Sequence, residues 1–442
     1  MVRLPRWGGN GMSLTSKLTT IAAAGSGGSE NSYLAFRYNS INDIPYTVKV
    51  DSNNDVYVAG LSYGTSSGPT SRGGFIIKFN SDGESQWEKI YYHSSERYWI
   101  HDIGIDGTSY VYAVGYANTT VNDWTSFKID AGDGSLIAKI KHSGSSIDQM
   151  DRCVWSDNTN SLIAVGKTYS HTSYTTGAYW GSVSSNAGVA DYLQGGNYTN
   201  LFNDVCVSDN VHYYVGLTSA DGSYGFLMRS LNTINGSLSS VEFGAGCNWV
   251  ACDRIGTSDA IIMGIKSGVN GARVVKINSN LLEQWSKQVT VTDNIEEDVV
   301  TDSSDNIYLL FRATTGSTIG FTIVCLDSSG DLVWSNRLSN SSGNMTASRL
   351  ALSNDEEFLY VTGSDTFSLT SGAGFLAKLA ADGSGTGTSG DFTYQAESAT
   401  VTTNSSEVRQ ADSLTYAGIG LTATAPSVTT ATPTYTTELI NI

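Results

Sequence analysis

Residues 51–60 read Asp-Ser-Asn-Asn-Asp-Val-Tyr-Val-Ala-Gly, residues 73–83 read Gly-Gly-Phe-Ile-Ile-Lys-Phe-Asn-Ser-Asp-Gly, and Trp87 follows. An apolar strand ends in glycine, a variable loop follows, and a second strand carries an aromatic residue and a cation before an Asp-Gly turn. This order recurs seven times. The position a few residues after the aromatic, called here the marker position, holds Lys78, Lys128, Gly181, Arg229, Lys276, Val324 and Lys378. A period of about 50 residues with strand-type content is typical of a β-propeller, with one four-stranded blade per repeat.

The repeat predicts an all-β fold, a seven-bladed β-propeller of four-stranded blades over residues 31–397. Residues 32–38 precede the first inner strand as residues 87–91 precede the second, so we expect them to close the ring as an outer strand of the last blade. The segment 392–394 is predicted to lie beside the third strand of that blade. Closure of this kind removes open sheet edges, which otherwise favour aggregation.

The two ends are predicted to be extended arms outside the propeller. In residues 1–30, Leu14, Leu18 and Ile21 follow helical spacing, which predicts a short helix. Residues 398–442 are rich in Thr, Ser and Ala. Such segments bury little apolar surface on their own, so we expect partner chains to order them.

Charge and hydropathy narrow the range of partners. The chain of 442 residues has a formal net charge of -17, which disfavours nucleic acid and anionic membranes. No apolar run approaches the ~18 residues of a membrane span, so we expect no membrane insertion.

Cysteine usage does not indicate a disulfide framework. The five cysteines are an odd number, and three of them, Cys153, Cys206 and Cys325, lie in strand-like apolar runs. A local disulfide between Cys247 and Cys252 is the alternative. Their spacing is not that of a zinc site.

No catalytic motif emerges, and the sequence predicts no catalytic residues, metal or cofactor. The five histidines are dispersed, and His101-Asp102 are neighbours that face opposite ways on a strand. The turn Asp51-x-Asn53-x-Asp55 admits calcium, but Asx residues make such turns by bonding their own backbone. The repeated Lys and Arg are interpreted as inter-blade ion pairs or solvated groups, with a ligand-binding ring as the alternative.

The loops between the second and third strands of the blades vary most and are rich in Ser, Thr, Tyr and Gly. Tyr beside Ser and Gly gives an adaptable contact surface. The candidate recognition residues in these loops are Tyr63, Tyr116, Tyr169, Tyr174 and Tyr224.

The stretches 51–60 and 73–83 with Trp87 resemble the bacterial β-propeller repeats called SBBP, which are scaffold and interaction modules. Residues 12–25 and 413–425 resemble the ends of structural virion proteins of marine tailed phages. The resemblance implies a non-enzymatic virion component, of tail-fibre, spike or capsid-decoration type, made in the host cytoplasm. Its partners would be other virion proteins, a homo-oligomer, or a host-surface glycan or receptor. The arm residues expected to dock are Leu14, Leu18, Ile21, Tyr416, Leu421, Tyr435 and Leu439.

Two alternatives stay open from the sequence. One is a secreted or surface propeller that binds carbohydrate. The other is a polysaccharide hydrolase or lyase, since propeller enzymes assemble their sites from distant loops.

Overall fold

The computed structural model has an all-β architecture. It describes residues 19–21, 31–38, 43–63, 72–93, 96–118, 122–143, 148–168, 177–183, 188–194, 200–208, 211–218, 224–231, 239–245, 247–266, 271–292, 294–313, 320–341, 345–365, 373–389, 391–404, 409–411, 415–418, 422–424, 429–431 and 435–440. None of these residues forms a helix long and apolar enough to cross a membrane.

Seven antiparallel sheets follow one another along the described chain, and the strands are numbered β1 to β37 in chain order. Before the first sheet lie β1 Thr19–Ile21 and β2 Asn31–Tyr38. Sheet 1 contains β3 Asp43–Val50, β4 Val56–Tyr63, β5 Arg72–Phe79 and β6 Ser85–Tyr92. Sheet 2 contains β7 Arg97–Asp106, β8 Tyr110–Asn118, β9 Asn122–Asp130 and β10 Leu136–Ser143. Sheet 3 contains β11 Asp148–Ser156, β12 Ser161–Thr168, β13 Gly177–Val183 and β14 Gly188–Gln194. Sheets 4 and 5 contain β15 Asn200–Ser208, β16 Val211–Thr218, β17 Tyr224–Leu231, β18 Ser239–Ala245; and β19 Cys247–Ile255, β20 Asp259–Lys266, β21 Ala272–Ile277, β22 Glu283–Val291. Sheets 6 and 7 contain β23 Asn294–Thr301, β24 Ile307–Ala313, β25 Gly320–Leu326, β26 Leu332–Asn340; and β27 Met345–Leu352, β28 Phe358–Asp365, β29 Ala373–Ala380.

The first strands of successive sheets contact each other in chain order, and β27 of sheet 7 contacts β3 of sheet 1. Sheet 7 takes its fourth strand from the N-terminal side, because β2 pairs with β29 through Ser32 and Lys378. The fully buried Asn31 fixes this strand: its Oδ1 accepts the Ala380 N–H at 2.7 Å. The sequence predicted this placement of residues 32–38.

Tryptophans on the fourth strands join neighbouring sheets, as their positions in the repeat indicated. Trp87 Nε1 donates to the carbonyl of Ala131 in sheet 2 at 3.0 Å. A Cβ atom on Gly134 of the same turn would lie 2.7 Å from the Trp87 ring. Trp285 meets Gly330 of sheet 6 in the same way, and Trp334 meets Gly383. The turn glycine is therefore the surface on which the indole of the preceding sheet packs.

The C-terminal segment adds strands to all seven sheets in reverse order, two to sheet 6 and one to each of the others. Strand β31 pairs with sheet 6, β32 with sheet 5, β33 with sheet 4, β34 with sheet 3, β35 with sheet 2, β36 with sheet 1 and β37 with β2 of sheet 7. The bounds are β30 Gly387–Ser389, β31 Phe392–Ala396, β32 Ala399–Thr403, β33 Arg409–Ala411, β34 Thr415–Gly418, β35 Thr422–Thr424, β36 Thr429–Ala431 and β37 Tyr435–Ile440. A run of β-branched residues with short breaks is suited to this series of short strands.

Three predictions about the ends are corrected. The predicted C-terminal arm is not extended away from the sheets, since Tyr416, Tyr435 and Leu439 lie in strands that pair with them. Residues 392–394 pair with β26 of sheet 6 rather than with β29. Ile21 belongs to a strand paired with β2, not to a helix, because Thr19, Thr20 and Ile21 are β-branched. Leu14, Leu18 and Leu421 lie outside the described residues.

Each first strand carries a β-bulge, and in six of the seven sheets a glycine in the second half of the second strand faces it. The residues facing the bulge are Gly60, Gly115, Gly166, Gly216, Gly264, Phe311 and Gly363. At five of these glycines a Cβ atom would lie between 1.9 and 2.4 Å from a first-strand carbonyl oxygen. The φ angles of these five are not in the left-handed region, so the glycine serves close approach rather than a positive φ.

Candidate functional site

The seven bulges direct one residue from every sheet into a single cavity. The bulge residues are Tyr46, His101, Asp151, Asn203, Val250, Glu297 and Ser348. All seven line a cavity of about 540 Å³, called here the mouth cavity, together with Arg152, Asn248 and Arg349. A bulge re-aims a side chain without interrupting the sheet, so the repeat itself builds this site.

The mouth cavity lies toward the end of the sheets that carries the variable loops. Strand pairing places Asp43 opposite Ser62 and Pro45 opposite Gly60, so the bulge at Tyr46 lies about four residues from the start of the loop after β4. The same register holds in sheet 2, where Arg97 pairs with Asn118. The loops predicted to recognise a ligand therefore begin beside this cavity.

In the mouth cavity, His101 contacts both a carboxylate and two aromatic rings. Its Nδ1 lies 2.9 Å from Asp151 Oδ1, and both side chains are partly exposed. The rings of Tyr46 and Tyr116 meet the imidazole edge-on, each at 5.2 Å between centroids. Tyr116 in turn stacks on Trp99 at 4.6 Å. A carboxylate at one ring nitrogen fixes the imidazole orientation and leaves Nε2 for a ligand.

Adjacency in the sequence does not reveal this pair. His101 and Asp151 are in adjacent sheets, one repeat apart, and Asp102 has a different role. A comparison of equivalent repeat positions would have found them, since both are bulge residues.

In sheets 1, 2, 4 and 6 the side chain of the residue after the bulge forms a hydrogen bond with the following sheet. Asp102 Oδ2 accepts the Cys153 N–H, Asp204 Oδ2 accepts the Cys252 N–H and Asp298 Oδ2 accepts the Leu350 N–H, each at 2.9 Å. These carboxylates link sheets 2 to 3, 4 to 5 and 6 to 7. Thr47 Oγ1 donates to Asp102 Oδ1 at 2.5 Å and links sheet 1 to sheet 2.

The same three aspartates line a second cavity of about 460 Å³, called here the inner cavity, which shares Arg152 and Arg349 with the mouth cavity. Burial raises the pKa of Asp298 to about 8 and that of Asp204 to about 6, although Lys49 and Arg152 oppose both shifts. Burial lowers the pKa of Lys49, but Asp102, Asp298 and Asp204 outweigh it and hold this pKa above its usual value. The inner cavity therefore contains buried carboxylates and buried cations that partly offset each other's charge.

The repeated cations lie away from both cavities. Lys78 Nζ is 2.8 Å from Asp55 Oδ2 in its own sheet and donates to the Ala131 carbonyl of sheet 2 at 3.3 Å. Lys378 Nζ lies over the Phe358 ring and donates to the Ser81 carbonyl at 2.8 Å. The predicted inter-blade ion pair is therefore wrong for Lys78, whose ion pair lies within one sheet, although Lys78 and Lys378 each donate a hydrogen bond to a neighbouring sheet.

Two of the seven predicted marker positions are wrong by one residue. Lys78, Lys128, Arg229, Lys276 and Lys378 occupy one register, each paired with the residue three before the bulge-facing glycine. In sheets 3 and 6 this register falls on Ser182 and Cys325, not on Gly181 and Val324.

The predicted recognition tyrosines are not all brought together. The side chain of Tyr116 contacts His101 at the mouth cavity. Tyr63 and Tyr224 are at the loop ends of β4 and β17, where only their strand backbone is described. Tyr169 and Tyr174 lie outside the described residues.

In the turns that begin with Asp51 and Asp302, the carboxylates accept hydrogen bonds from the backbone of the same turn. Asp51 Oδ1 accepts the N–H groups of Asn53 and Asp55, and Asp302 Oδ1 accepts those of Ser304 and Asn306, which defines Asx turns. Within the described ranges no group of three or more His, Cys, Asp or Glu residues is placed to hold a metal ion.

No protein-family profile and no curated protein sequence matches the chain. Solved structures that resemble it include hydrazine synthase of Kuenenia stuttgartiensis, with 10% identity and a TM-score of 0.47 over 72% of this chain and 92% of that one. Semaphorin 2a of Drosophila has 8% identity and a TM-score of 0.43, covering 78% and 76%. A sialidase of Trypanosoma rangeli has 13% identity and a TM-score of 0.38, covering 83% and 58%. At these values the similarities carry no functional conclusion.

Proposed function

We propose that the chain is a closed seven-bladed β-propeller whose mouth cavity binds a polar ligand of the carbohydrate class. The observation that carries the proposal is the convergence of seven bulge residues, one per sheet, on one cavity. The seven positions carry different and mostly polar side chains, as a binding site needs and packing alone does not.

Support for ring closure comes from the chain of contacts between first strands, which returns from β27 to β3. Contacts across this junction are polar as well: Asn54 Nδ2 donates to Asp355 Oδ2 at 2.7 Å, and the Asn354 N–H donates to Asn54 Oδ1. The pairing of β2 with β29 completes sheet 7 with a strand from before sheet 1. A ring of this kind holds the seven bulges at fixed spacing around one axis.

The composition of the mouth cavity matches the chemistry of a sugar. Each sugar hydroxyl both donates and accepts, so a complementary site needs both kinds of group. Arg152 and Arg349 supply donors, while Asp151 and Glu297 supply carboxylate oxygens. The volume of about 540 Å³ is within the range of small-ligand pockets, roughly 300–1,000 Å³.

The ring of Tyr46 lines the cavity and adds an apolar contact surface. Tyr46 flanks His101 directly, and Tyr116 does so while stacked on Trp99. The C–H faces of a sugar ring pack on such surfaces, and the neighbouring hydroxyls reach the polar groups.

The proposal is tested by a glycan array followed by calorimetry on the best ligand. We expect Tyr46→Ala and Asp151→Asn each to weaken binding about tenfold, because each removes a contact or leaves a ligand hydroxyl unpaired. Asn280→Ala, in the exposed turn after β21, is the matched control and should bind as the unaltered chain does. Binding that is unaffected by both cavity variants would place the ligand elsewhere.

Polysaccharide cleavage is a second candidate, favoured by the His101–Asp151 pair. An imidazole oriented by a carboxylate can act as a general base. Release of new chain ends from a polysaccharide panel, abolished by His101→Gln with binding retained, would establish catalysis. Uniform inactivity of a chain that binds its ligand would leave recognition as the function.

The biological setting that we propose is a tailed-phage virion, with the mouth cavity directed at a host-surface glycan. The resemblance of residues 12–25 and 413–425 to virion proteins supports it. Mass spectrometry of purified particles tests it through the presence and copy number of the chain. Absence from particles would leave a secreted or surface lectin-type propeller as the setting.

A further inference from the structure

The inner cavity contains two cysteines that the proposed function does not use. Cys206 lies on β15 of sheet 4 and Cys252 on β19 of sheet 5, and both line this cavity. They are free thiols, 4% and 5% exposed, and belong to one apolar cluster.

Strand geometry turns the two side chains toward each other. Asp204 reaches β19, because its Oδ2 accepts the Cys252 N–H, and Cys206 is two residues further along the same face of β15. Asp253 reaches sheet 6, because its Oδ2 accepts the Thr301 N–H at 2.7 Å. Cys252, next to Asp253 in the strand, therefore faces the opposite way, toward sheet 4. Both side chains thus meet in the apolar cluster between sheets 4 and 5.

We propose that Cys206 and Cys252 are an oxidation site at which a peroxide forms a disulfide between sheets 4 and 5. The Cys206 thiolate attacks one oxygen of hydrogen peroxide, the O–O bond breaks, and a sulfenic acid and hydroxide result. The Cys252 sulfur then attacks the sulfenic sulfur and displaces its hydroxyl group. Overall, two thiols and one peroxide give one disulfide and two water molecules.

Access and order of reaction follow from the surroundings of the pair. The inner cavity has room for a molecule as small as a peroxide, at about 460 Å³. Burial raises the pKa of both thiols, and it raises that of Cys252 well above its usual value. Cys206 is accordingly the first nucleophile, and disulfide formation accelerates as the pH rises, since the thiolate is the reactive form.

Cys247 provides a matched control. It is buried in the same apolar cluster and on the same strand as Cys252. Five residues of extended strand separate them by roughly 15 Å, whereas a disulfide requires Cα atoms within about 7 Å. The sequence-derived alternative of a Cys247–Cys252 disulfide is thus wrong.

The experiment treats the folded, full-length chain with hydrogen peroxide at pH 7 and pH 9, then alkylates it under denaturing conditions and maps its peptides. We expect one cross-linked pair, Cys206–Cys252, lighter by two hydrogens, formed faster at pH 9 and reversed by dithiothreitol. The Cys247→Ser chain should retain it, and Cys206→Ser or Cys252→Ser should lose it. The oxidised chain should melt roughly 5 °C higher than the reduced chain.

Peptide mapping of the unaltered chain tests for the Cys206–Cys252 cross-link even where a serine variant folds poorly. Sulfinic acid at either position without a cross-link would overturn the proposal, and so would a cross-link through Cys153 or Cys247. A cross-link that forms only after unfolding would also overturn it, because the pairing would then not depend on the folded geometry.

Discussion

A Cβ atom on Gly60 would lie 2.1 Å from the carbonyl oxygen of Ile44. This contact joins the clearest motif of the repeat to the candidate site, because Ile44 is two residues before the bulge residue Tyr46. The glycine allows the first strand to come close, the bulge forms there, and the next side chain is directed into the mouth cavity. The motif that indicates the fold thus also builds the site.

Gly115→Ala tests this relationship in sheet 2. Its Cβ atom would lie 1.9 Å from the Trp99 carbonyl oxygen, so the bulge that holds His101 must shift. We expect a loss of about 3 kcal/mol in the free energy of unfolding and weaker ligand binding. Urea denaturation and calorimetry measure the two effects.

Gly132→Ala is the control for that substitution. Its Cβ atom would meet only the Asp130 carboxylate, at 3.1 Å, and this side chain can move aside. We expect a change within about 0.5 kcal/mol and unaltered binding. Equal effects of the two substitutions would contradict the role assigned to the bulge-facing glycines.

Asp298→Asn tests the charge balance of the inner cavity. The folded-state pKa of Asp298 is about 8, well above the unfolded value of about 4, so the folded chain binds more protons between these pH values. Stability from this group is present below pH 4 and is lost as the pH rises toward 8. The amide can still accept the Leu350 N–H, so the variant should lose this dependence and become the more stable chain near pH 8.

Urea denaturation of both chains from pH 4 to pH 9 measures the effect. Asp204, whose pKa is raised to about 6, remains in the variant and should leave a shallower decline between pH 4 and pH 6. Parallel pH profiles for the two chains would contradict the assignment to Asp298.

Glu96→Gln should show a pH dependence of the opposite sign. Burial alone would raise the pKa of Glu96, but hydrogen bonds from Tyr98, Lys141 and Lys139 lower it to about 2. Its stabilisation is present above the unfolded value of about 4 and is lost as the pH falls toward 2. We expect the variant to lose about 2 kcal/mol at pH 7 and almost nothing near pH 2, measured by urea denaturation. A constant difference across this range would exclude titration of Glu96 as its cause.

The fold could be predicted from the sequence to the extent that local patterns repeat. Glycine-terminated strands, Asp-Gly turns and the tryptophans recur with one period, and each reports a contact within one or two sheets. The repeat pattern does not predict the site, because the residues of the site differ from sheet to sheet. The bulge position holds His101 in sheet 2, Asp151 in sheet 3 and Val250 in sheet 5. Only their equivalence within the repeat brings them together.

The C-terminal strands illustrate a second limit of the sequence. Strands such as Thr429–Ala431 are three residues long and too short for a periodic pattern. Their pairing depends on the backbone of sheet edges that lie hundreds of residues earlier, for example Thr430 opposite Tyr91. A segment without a core of its own therefore resembles a disordered arm until the sheets that receive it are known.

Hydrogen exchange and truncation test whether these strands pair within the chain. We expect slow exchange for backbone amides in 399–403, where β32 pairs with β22 and Asn404 donates to the Ser286 carbonyl at 3.0 Å. Removal of residues 399–442 would expose the outer strand of five sheets and the β2 edge of sheet 7, and free edges pair with other chains. The truncated chain should melt at a lower temperature and self-associate, as measured by calorimetry and light scattering. A truncated monomer of unchanged stability, with fast exchange at 399–403 in the full chain, would restore the free arm that the sequence predicted.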